Sequence, residues 1–513
     1  MFVPNRRNFL FDAGWLTTTF ATTGLMTSAT RGDEPKPIKA ANGASPNNRL
    51  RVGIIGARST KLPGLNNIGR GMDHVKFVAG RNECEVVTIC DCDESVVGTA
   101  MSQAEKQQGR LPKYEKDLRK VIDDPTIDII TIATPNHWHA LAAIWALRAG
   151  KHVYVEKPVS HNVWEGRRIV EAARHYKRLC QTGTQCRSMT SNIEAVEFMR
   201  SGKIGEIKIA RGLCYKPRAS IGKVGGDGEI PTTVDYDLWC GPAPKRPPQR
   251  TKLHYDWHWQ WDFGNGDFGN QGIHQVDVAR WGLGKKGMPK SVMSLGGRFG
   301  YSDDGQTANT QVSIFDYGDA KLIFEVRGLM TQDVLADVSG KTTTNEKTRV
   351  LVGNVFYGTD GMVVCTNYEK GVAVSKDGEI IRTFLAKNDD DHFGNFAAAV
   401  RANDASLLRA DIEEGHLSSS LCHLGNISLR LGREVALGSA DVKSCAPDVD
   451  SSETVERMVR HLAKNGINLD DVKCRVGPRL EIDGKTETLV GNASANQMLA
   501  REYRKGFEGP ARF

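Results

Sequence analysis

The stretch that decides the fold is Gly150–Pro158, with the sequence GKHVYVEKP. It follows a helix-like run and predicts a short buried strand, His152–Val155, that ends in Glu156, Lys157 and a proline. Ligands of open α/β sheets bind at the carboxyl ends of the strands. We therefore expect Lys157 to reach into a cofactor crevice, the alternative being a surface salt pair at the end of a strand.

Strands and helices alternate on both sides of this stretch. The predicted strands are Leu50–Gly56, Cys84–Asp91, Ile127–Thr134 and His152–Val155, and the predicted helices are Tyr114–Asp124, His137–Ala149 and Val163–Tyr176. Short apolar strands that alternate with helices are typical of parallel βαβ units. The pattern predicts a dinucleotide-binding Rossmann domain over residues 49–180.

The pattern changes after about residue 180, where the apolar residues of the strands alternate with polar ones. The predicted strands are Val312–Tyr317, Lys321–Arg327, Arg349–Tyr357 and Gly361–Asn367, and the predicted helices are 193–201, 270–282 and 412–432. Alternation favours an open, largely antiparallel sheet with helices on one face. We expect an α+β domain over 181–435, followed by a C-terminal extension, 436–513, that packs back on the body.

Composition excludes several classes of function. A chain of 513 residues is too long for one ordinary core. Its net charge of +7 is small, and no block of lysine and arginine predicts a nucleic-acid partner. The eleven cysteines are an odd number without a Cys-x-x-Cys pair, which favours buried thiols. We expect no metal site, because no cluster has the spacing of metal ligands.

The amino terminus resembles a twin-arginine export signal. Arg6 and Arg7 precede a weakly apolar run, Phe11–Ala29. This run is short and rich in threonine, so we expect no membrane span in the mature protein. The sequence predicts a signal peptide over 1–30, a polar linker over 31–48 and a periplasmic or otherwise exported protein. The alternative is a disordered tail.

A phosphate-binding turn is predicted after the first strand. Gly56 closes that strand, as the first glycine of a dinucleotide fingerprint does, but the later glycines are missing at their usual offsets. Gly69 and Gly71 would resume the loop after an insertion. Gly56, Arg58 and Ser59 are the cofactor candidates here, and an ordinary strand-to-helix turn is the alternative.

An acidic residue ends the second strand. A carboxylate at the position of Asp91 can accept hydrogen bonds from the hydroxyls of the adenosine ribose. No arginine follows it to neutralise a 2′-phosphate, which favours NAD over NADP. Asp93 is the nearby competitor for this role.

Two motifs together resemble the Gfo/Idh/MocA oxidoreductase family, which includes glucose–fructose oxidoreductase and inositol dehydrogenase. The first joins Thr134–Asn136 and His139 to the Glu-Lys-Pro element at 156–158. The second, Gly264–Trp281, is similar to the family pattern Asp-x-Gly-x-His-x-x-Asp. The resemblance covers most of 49–435 and a late stretch from Ala495 to Arg504. It implies a Rossmann domain, a sugar-binding α/β domain and a homo-oligomer.

The resemblance also implies roles for individual residues. Thr134, Asn136 and His139 would lie over the nicotinamide and its ribose, and Glu156 would pair with Lys157 or contact that ribose. His274 would take or give the proton of a substrate hydroxyl. Capping or packing is an equal alternative for the residues of the 134–139 loop.

One position departs from the family pattern. Asn270 stands where the family has an aspartate, and an amide can orient a neighbour but cannot titrate. This leaves Lys157 and His274 as the catalytic pair, with Asn270 positioning them. Asp267 is a candidate replacement for the missing carboxylate.

Substrate contacts are expected from the second domain. Trp257 and His258 lie in a run of aromatic and histidine residues suited to stacking on a sugar, or to a core or oligomer interface. Contacts at the rim of the site or with an anion are expected from Gln185, Arg187 and Tyr215 with the following Lys216–Arg218. The last acidic residue of the second motif, Asp277, is a further substrate candidate.

Three functions are consistent with these residues. The first is an exported NAD-dependent oxidoreductase that interconverts a secondary hydroxyl and a ketone on a sugar, cyclitol or derivative. The second is a redox-neutral glycoside-cleaving enzyme with tightly bound NAD. The third, favoured by Asn270 and the irregular phosphate loop, is a non-catalytic protein that binds a dinucleotide or a sugar.

Overall fold

The fold contains two sheets that follow one another along the chain. The computed structural model describes residues 49–59, 68–331, 351–387, 391–446 and 448–509. The predicted signal peptide and linker, 1–48, lie outside these residues. A six-stranded parallel sheet precedes a larger mixed sheet, so the prediction of a Rossmann domain followed by an α+β domain is confirmed.

The first sheet is wholly parallel. Its strands are β1 (Leu50–Ile55), β2 (Cys84–Cys90), β3 (Lys113–Glu115), β4 (Ile129–Ile132), β5 (His152–Val155) and β6 (Cys180–Thr182). Its helices are α1 (Arg70–Ala79), α2 (Gly98–Gln108), α3 (Leu118–Asp123), α4 (Asn136–Arg148) and α5 (Val163–His175). The strands lie in the order β3-β2-β1-β4-β5-β6.

This strand order decides where a ligand can bind. The chain order reverses between β1 and β4, and such a switch point opens a crevice at the carboxyl ends of the strands. The strands are apolar because helices cover both faces of a parallel sheet. Val52, Ile54 and Val153 are accordingly buried.

The segment predicted as a helix over Tyr114–Asp124 differs in the structure. Lys113–Glu115 pairs with β2 as an edge strand, and only Leu118–Asp123 is helical. Asp117 caps that helix by accepting a hydrogen bond from the backbone of Arg119. A three-residue strand is too short to show a periodicity, so the sequence pattern favoured the longer helix.

The second sheet is mixed and open. Its strands are β7 (Ile207–Tyr215), β8 (Ser291–Gly297), β9 (Thr310–Asp316), β10 (Lys321–Arg327), β11 (Leu351–Gly358), β12 (Gly361–Cys365), β13 (Lys370–Ser375), β14 (Ile380–Leu385), β15 (Arg433–Ala436), β16 (Lys473–Val476) and β17 (Leu480–Asp483), with β18 (Thr488–Leu489) paired to β17. Among the described strand pairings of this second sheet, only β7 and β10 run parallel. Because β16 and β17 pair with β8, the sheet continues past residue 435, where we predicted the domain to end.

Helices cover this sheet and bridge to the first one. They are α6 (Thr190–Arg200), α7 (Tyr236–Cys240), α8 (Ile273–Gly282), α9 (His392–Ala402), α10 (Ile412–Arg430), α11 (Ala440–Ser444), α12 (Val449–Lys464) and α13 (Ala493–Gln497). A π-helical turn, Phe268–Gly272, leads into α8 and stacks Phe268 on Phe324 of β10 at 4.3 Å. A Cβ on Gly272 would lie 2.2 Å from the Phe324 ring, so the close approach of this turn requires glycine.

The cysteines make no disulfide. All eleven are free thiols, nine of them buried, as small apolar side chains often are. Among the described residues, no helix is both long enough and apolar enough to span a bilayer.

Candidate active site

A cavity of about 380 Å³ opens at the carboxyl ends of the first sheet, between that sheet and the start of α8. Most of the predicted site residues line it. They are Gly56, Arg58, Asp91, Thr134, Asn136, His139, Glu156, Lys157, Gln185, Trp257, His258, Asn270 and His274. The structure therefore brings both predicted motifs to one cavity.

The phosphate turn is built by close backbone packing. Gly56 has a φ of +84°, a left-handed conformation that favours glycine. A Cβ on Gly71 would lie 1.8 Å from the carbonyl oxygen of Gly56, so the first turn of α1 lies directly on the end of β1. Gly69 donates a backbone hydrogen bond to Arg58. A helix start held this close to a strand end fits a pyrophosphate.

Asp91, and not Asp93, lines the cavity. The Asp91 carboxylate accepts hydrogen bonds from the backbone of Ala57 at 2.9 Å and of Asp93 at 3.1 Å, which leaves acceptor capacity on both oxygens. Burial raises the pKa of Asp91. Asp93 instead accepts from Ser95 and contacts Nε2 of His254 at 2.8 Å. The ribose candidate is therefore Asp91.

Glu156 ties α1 to the carboxyl end of β5. Its carboxylate lies 3.2 Å from Nη2 of Arg70 and 3.3 Å from Nε2 of His74, both on α1. Burial alone would raise the pKa of Glu156, but Arg70 and His74 hold it well below its usual value. The predicted side-chain pairing with Lys157 is replaced by this anchor, and only the backbone N–H of Lys157 donates to Glu156, at 3.3 Å.

Lys157 crosses to the second domain. Its Nζ donates to the backbone carbonyl oxygen of Asn270 at 2.6 Å. Burial lowers the pKa of Lys157 to about 8, against the opposing charge of Glu156. A lysine with such a pKa can exchange a proton near neutral pH, which an exposed lysine cannot do efficiently.

His274 lies on the first turn of α8 and is almost fully buried. Burial and the charge of Lys157 lower its pKa well below the usual value, so the imidazole is neutral. Its Nδ1 has no hydrogen-bond partner in the described part of the chain. Because no protein group fixes which nitrogen carries the proton, the ring can accept or donate toward a ligand.

The π-helical turn explains how Asn270 contributes. It turns the backbone carbonyl of Asn270 toward Lys157, while the side-chain amide donates to Asp267 at 3.3 Å. Asp267 forms a two-point ion pair with Arg218 at 2.7 and 2.8 Å. Its carboxylate is therefore engaged and does not replace the aspartate that the family has at position 270.

His139 joins two loops of the cavity wall. Its Nδ1 lies 2.6 Å from the carbonyl oxygen of Pro158, and its Nε2 lies 2.8 Å from that of Thr134. Asn136 donates to the side chain of Asn265 at 3.0 Å. A neutral imidazole donates to one of the two carbonyl oxygens and packs against the other, and burial lowers the pKa of His139. These contacts hold the Thr134 loop against the lysine-bearing loop, so His139 and Asn136 are positioning residues.

A strap from the second domain, residues 234–258, crosses the carboxyl ends of β2 and β4. Asp235 donates its backbone N–H to Cys92, and the indole of Trp138 donates to Leu238. Near the other end of the strap, Nε2 of His254 lies 2.8 Å from the carboxylate of Asp93. The strap therefore lies across the crevice where the first sheet binds its ligand.

The strap also brings the predicted aromatic contacts to the cavity. Trp257 and His258 stack at 3.6 Å, and Nδ1 of His258 lies 2.5 Å from the carbonyl oxygen of Tyr255. Burial lowers the pKa of His258 to about 3, so this ring is neutral.

Sequence reasoning missed several cavity residues. Tyr368 follows β12 and packs edge-on against His274, with ring centroids 5.9 Å apart. Its hydroxyl accepts hydrogen bonds from the amides of Gln271 and Gln275. No motif surrounds Tyr368, and only the sheet topology brings it to α8.

Four predicted site residues do not line the cavity. Ser59 bonds to Val96 and Ala100, and Tyr215 donates to Glu325 at 2.7 Å. Arg187 and Asp277 pair with each other at 2.8 Å, and Asp277 also accepts from Ser418. The helix turns Asp277 toward α10, so these two residues join helices and do not face a ligand.

Among the described residues, no group of three or more histidine, cysteine or acidic side chains could hold a metal ion.

Two family models match the chain. Residues 50–184 match the oxidoreductase family with an NAD-binding Rossmann fold, and residues 210–306 match the C-terminal alpha/beta domain of the same oxidoreductase family. Both models describe domains of the Gfo/Idh/MocA oxidoreductase family. The motifs at 156–158 and 264–281 lie inside the two matched regions.

The matches to curated relatives cover less than half of this chain and less than half of each relative. A glycosyl hydrolase family 109 protein from Shewanella sp. (strain ANA-3) is 27% identical over 212 residues, and an alpha-N-acetylgalactosaminidase from Shewanella oneidensis is 29% identical over 212 residues. Each match covers 40% of this chain and 44% of the relative.

A solved structure of levoglucosan dehydrogenase with NADH and levoglucosan has the same fold. It superposes with a TM-score of 0.52 at 16% identity and covers 74% of this chain and 97% of that one.

The residues present fit a nicotinamide dinucleotide. The glycine-built turn at Gly56 and Gly71 leaves the backbone open to a pyrophosphate, and Asp91 keeps acceptor capacity for a ribose. Lys157 and His274 line the same cavity. The chain can therefore hold a dinucleotide in the cavity that also contains these two residues.

Proposed function

We propose that this protein is an exported NAD-dependent oxidoreductase that interconverts a secondary hydroxyl and a ketone on a sugar, cyclitol or related compound. The observation that carries the proposal is the meeting of Lys157 and His274 in the cavity that also contains the phosphate turn. Bound NAD would supply the hydride acceptor. The remaining task, handling one proton, falls to residues of this chain.

The proton transfer follows from the surroundings of Lys157 and His274, which lower the pKa of both side chains. In the oxidation direction, neutral Lys157 accepts the hydroxyl proton, since a group with a pKa of about 8 holds both forms near neutral pH. The neutral imidazole of His274 hydrogen-bonds the same hydroxyl. The carbonyl of Asn270 holds the lysine in place, so an amide at this position is compatible with catalysis.

NAD is favoured over NADP by Asp91. Its carboxylate can accept from two ribose hydroxyls but repels a 2′-phosphate. Arg58 also lines the cavity and interacts electrostatically with Asp91. The preference between NAD and NADP therefore depends on whether Asp91 or Arg58 contacts the 2′ position of the ribose. Comparing binding of NAD and NADP to Asp91→Ala and Arg58→Ala separates their contributions.

Export is proposed from the arginine pair at 6 and 7 and the apolar run behind it. Replacing both Arg6 and Arg7 with lysine should leave the protein in the cytoplasm. Normal export of this double variant would contradict the proposal.

A second candidate is a glycoside-cleaving enzyme with captive NAD, in which oxidation, elimination and reduction leave the cofactor unchanged. Two observations favour it. Relatives are named as a family 109 glycosyl hydrolase and an alpha-N-acetylgalactosaminidase, and the strap lies over the crevice proposed for the nucleotide. Such an enzyme would release the aglycone from a chromogenic glycoside without added NAD. A dehydrogenase would instead reduce added NAD with a free sugar.

The deciding experiment assays purified, denatured protein for NAD(H) and NADP(H) and then tests both activities. Near-stoichiometric nucleotide with glycoside cleavage supports the second candidate, and turnover of added NAD supports the first. Protein that neither contains nor binds a nucleotide would contradict both and leave a sugar-binding function.

A further inference from the structure

Three lysines line the cavity: Lys116, Lys157 and Lys216. Lys116 lies 3.7 Å from the carboxylate of Glu94, whereas Lys157 and Lys216 bond to neutral oxygens. Lys157 donates to the backbone carbonyl of Asn270, and Lys216 donates to the side-chain oxygen of Gln271 at 3.0 Å. Neither forms an ion pair with a carboxylate of the described residues. The acceptors are neighbours on one π-helical turn, so both charges face the same end of the cavity.

The nearby carboxylates are already neutralised by other groups. Asp267 is paired with Arg218 at 2.7 and 2.8 Å, and Glu156 is paired with Arg70. The imidazoles of His258 and His274 do not change this balance, because burial lowers the pKa of both rings. Lys216 therefore has no ion-pair partner of its own among the described residues, in a partly buried position.

The ammonium of Lys216 has unused donor capacity. It carries three N–H groups, of which the bond to Gln271 uses one. Burial and the charge of Arg218 lower the pKa of Lys216, against the opposing charge of Asp267. An anionic ligand would restore the missing partner.

Tyr368 supplies a second donor at the same place. Its oxygen accepts from Gln271 and from Gln275, the latter at 3.2 Å, and its own hydroxyl hydrogen has no acceptor among the described residues. Gln271 thus holds Lys216 with its amide oxygen and Tyr368 with its amide nitrogen. One ammonium and one hydroxyl, both fixed by the same amide, match the two oxygens of a carboxylate.

We propose that the substrate is a sugar acid whose carboxylate is bound by Lys216 and Tyr368 while a ring hydroxyl lies between Lys157 and His274. The proposal rests on the proposed function, because it places the reacting hydroxyl at the same pair. A carboxylate fits better than a phosphate, since Arg218 is neutralised by Asp267 and one full charge remains.

The test compares sugars that differ in one group. Calorimetry on nucleotide-loaded protein measures binding of glucuronate, galacturonate, the parent sugars glucose and galactose, and glucose 6-phosphate. Charge-assisted hydrogen bonds predict that a uronate binds about 10- to 100-fold more tightly than its parent sugar, and that added salt weakens it. Lys216→Met should remove the preference, and Tyr368→Phe should reduce it.

Lys223→Met is the matched control, because Lys223 is exposed and lies outside the cavity. It should keep the preference for the acid. Equal binding of acids and parent sugars, tighter binding of the phosphate, no binding of either acid, or a preference that survives Lys216→Met would each overturn the proposal.

The experiment distinguishes failure of the proposed oxidoreductase function from failure of the carboxylate site. If uronates bind selectively but no sugar reduces the nucleotide, the oxidoreductase assignment fails and the carboxylate site stands. If neutral sugars reduce the nucleotide as well as the acids do, the carboxylate site fails and the assignment stands.

Discussion

The two walls of the cavity differ in how their polar groups are satisfied. On the nucleotide wall, Asp91, Glu156 and His139 already bond to protein partners. On the substrate wall, the Nδ1 of His274 and the hydroxyl hydrogen of Tyr368 have no partner among the described residues. The first wall is thus fixed by protein contacts and keeps acceptor capacity on Asp91, whereas the second leaves a histidine nitrogen and a hydroxyl hydrogen for a ligand. Variants should therefore divide into those that lose the nucleotide and those that lose turnover.

The largest effect is expected for Lys157→Ala. Removing the proton-exchanging group should lower turnover by about 10²- to 10⁴-fold, the usual contribution of general acid–base catalysis. Nucleotide content should stay near that of the natural protein, because the turn at Gly56 is untouched. Steady-state kinetics and nucleotide analysis check both statements.

Lys120→Ala is the control for that experiment, since Lys120 is exposed on α3 and lies outside the cavity. It should change neither quantity. Loss of nucleotide together with turnover in Lys157→Ala would show that the two walls are not independent.

Asp91→Ala should act on the other wall. Losing one hydrogen bond to a charged acceptor costs about 1.5–3 kcal/mol, so the dissociation constant for NAD should rise by at least about 10- to 100-fold. The rate of the saturated enzyme should change little. Fluorescence titration measures this, with Asp123→Ala as the exposed acidic control. An unchanged affinity would assign the ribose to another residue.

The variant Asn270→Asp tests whether Lys157 is the group that accepts the proton. The new carboxylate would lie next to Asp267, on the residue whose backbone carbonyl contacts Lys157. The added negative charge favours the ammonium, so the pKa of the lysine should rise from about 8. In the oxidation direction the neutral lysine is required. The rate should therefore rise with pH through about 8 in the natural protein and at higher pH in the variant.

The exposed Asn468→Asp is the control for this pH profile. An unshifted profile in Asn270→Asp would remove Lys157 as the titrating group, while an unchanged profile in Asn468→Asp is expected.

The smallest effect is expected for His254→Ala in the strap. Loss of its 2.8 Å contact with Asp93 should speed nucleotide release by a few-fold, about 1 kcal/mol, because the other strap contacts remain. Stopped-flow displacement of bound NADH measures the rate, with the exposed His175→Ala as control. An unchanged release rate would mean that the strap does not retain the nucleotide.

Much of the first domain could be predicted from sequence because its strands are buried on both faces and read as apolar runs. The second sheet was harder. Its strand β7 contains the buried Arg211, which pairs with Glu325 of β10, so its sequence resembles a polar segment. Such a pair becomes visible only when the fold brings two distant strands together.

Contacts between distant elements also explain which predicted site residues line the cavity and which do not. Lys157 and His274 were identifiable because each belongs to a local motif. Asp277 belongs to the same motif but pairs with Arg187, and Tyr368 belongs to no motif although it lines the cavity. Local spacing predicts which residues share a helix, but contacts between elements decide which of them meet a ligand.

The most direct test of the central claim is a single-turnover experiment. Nucleotide-loaded natural protein and Lys157→Ala are mixed with the sugar acids, and reduction of the bound nicotinamide is followed by its near-ultraviolet absorbance. The account predicts rapid reduction in the natural protein and almost none in the variant, at equal nucleotide content. Equal reduction rates in the two proteins would contradict it.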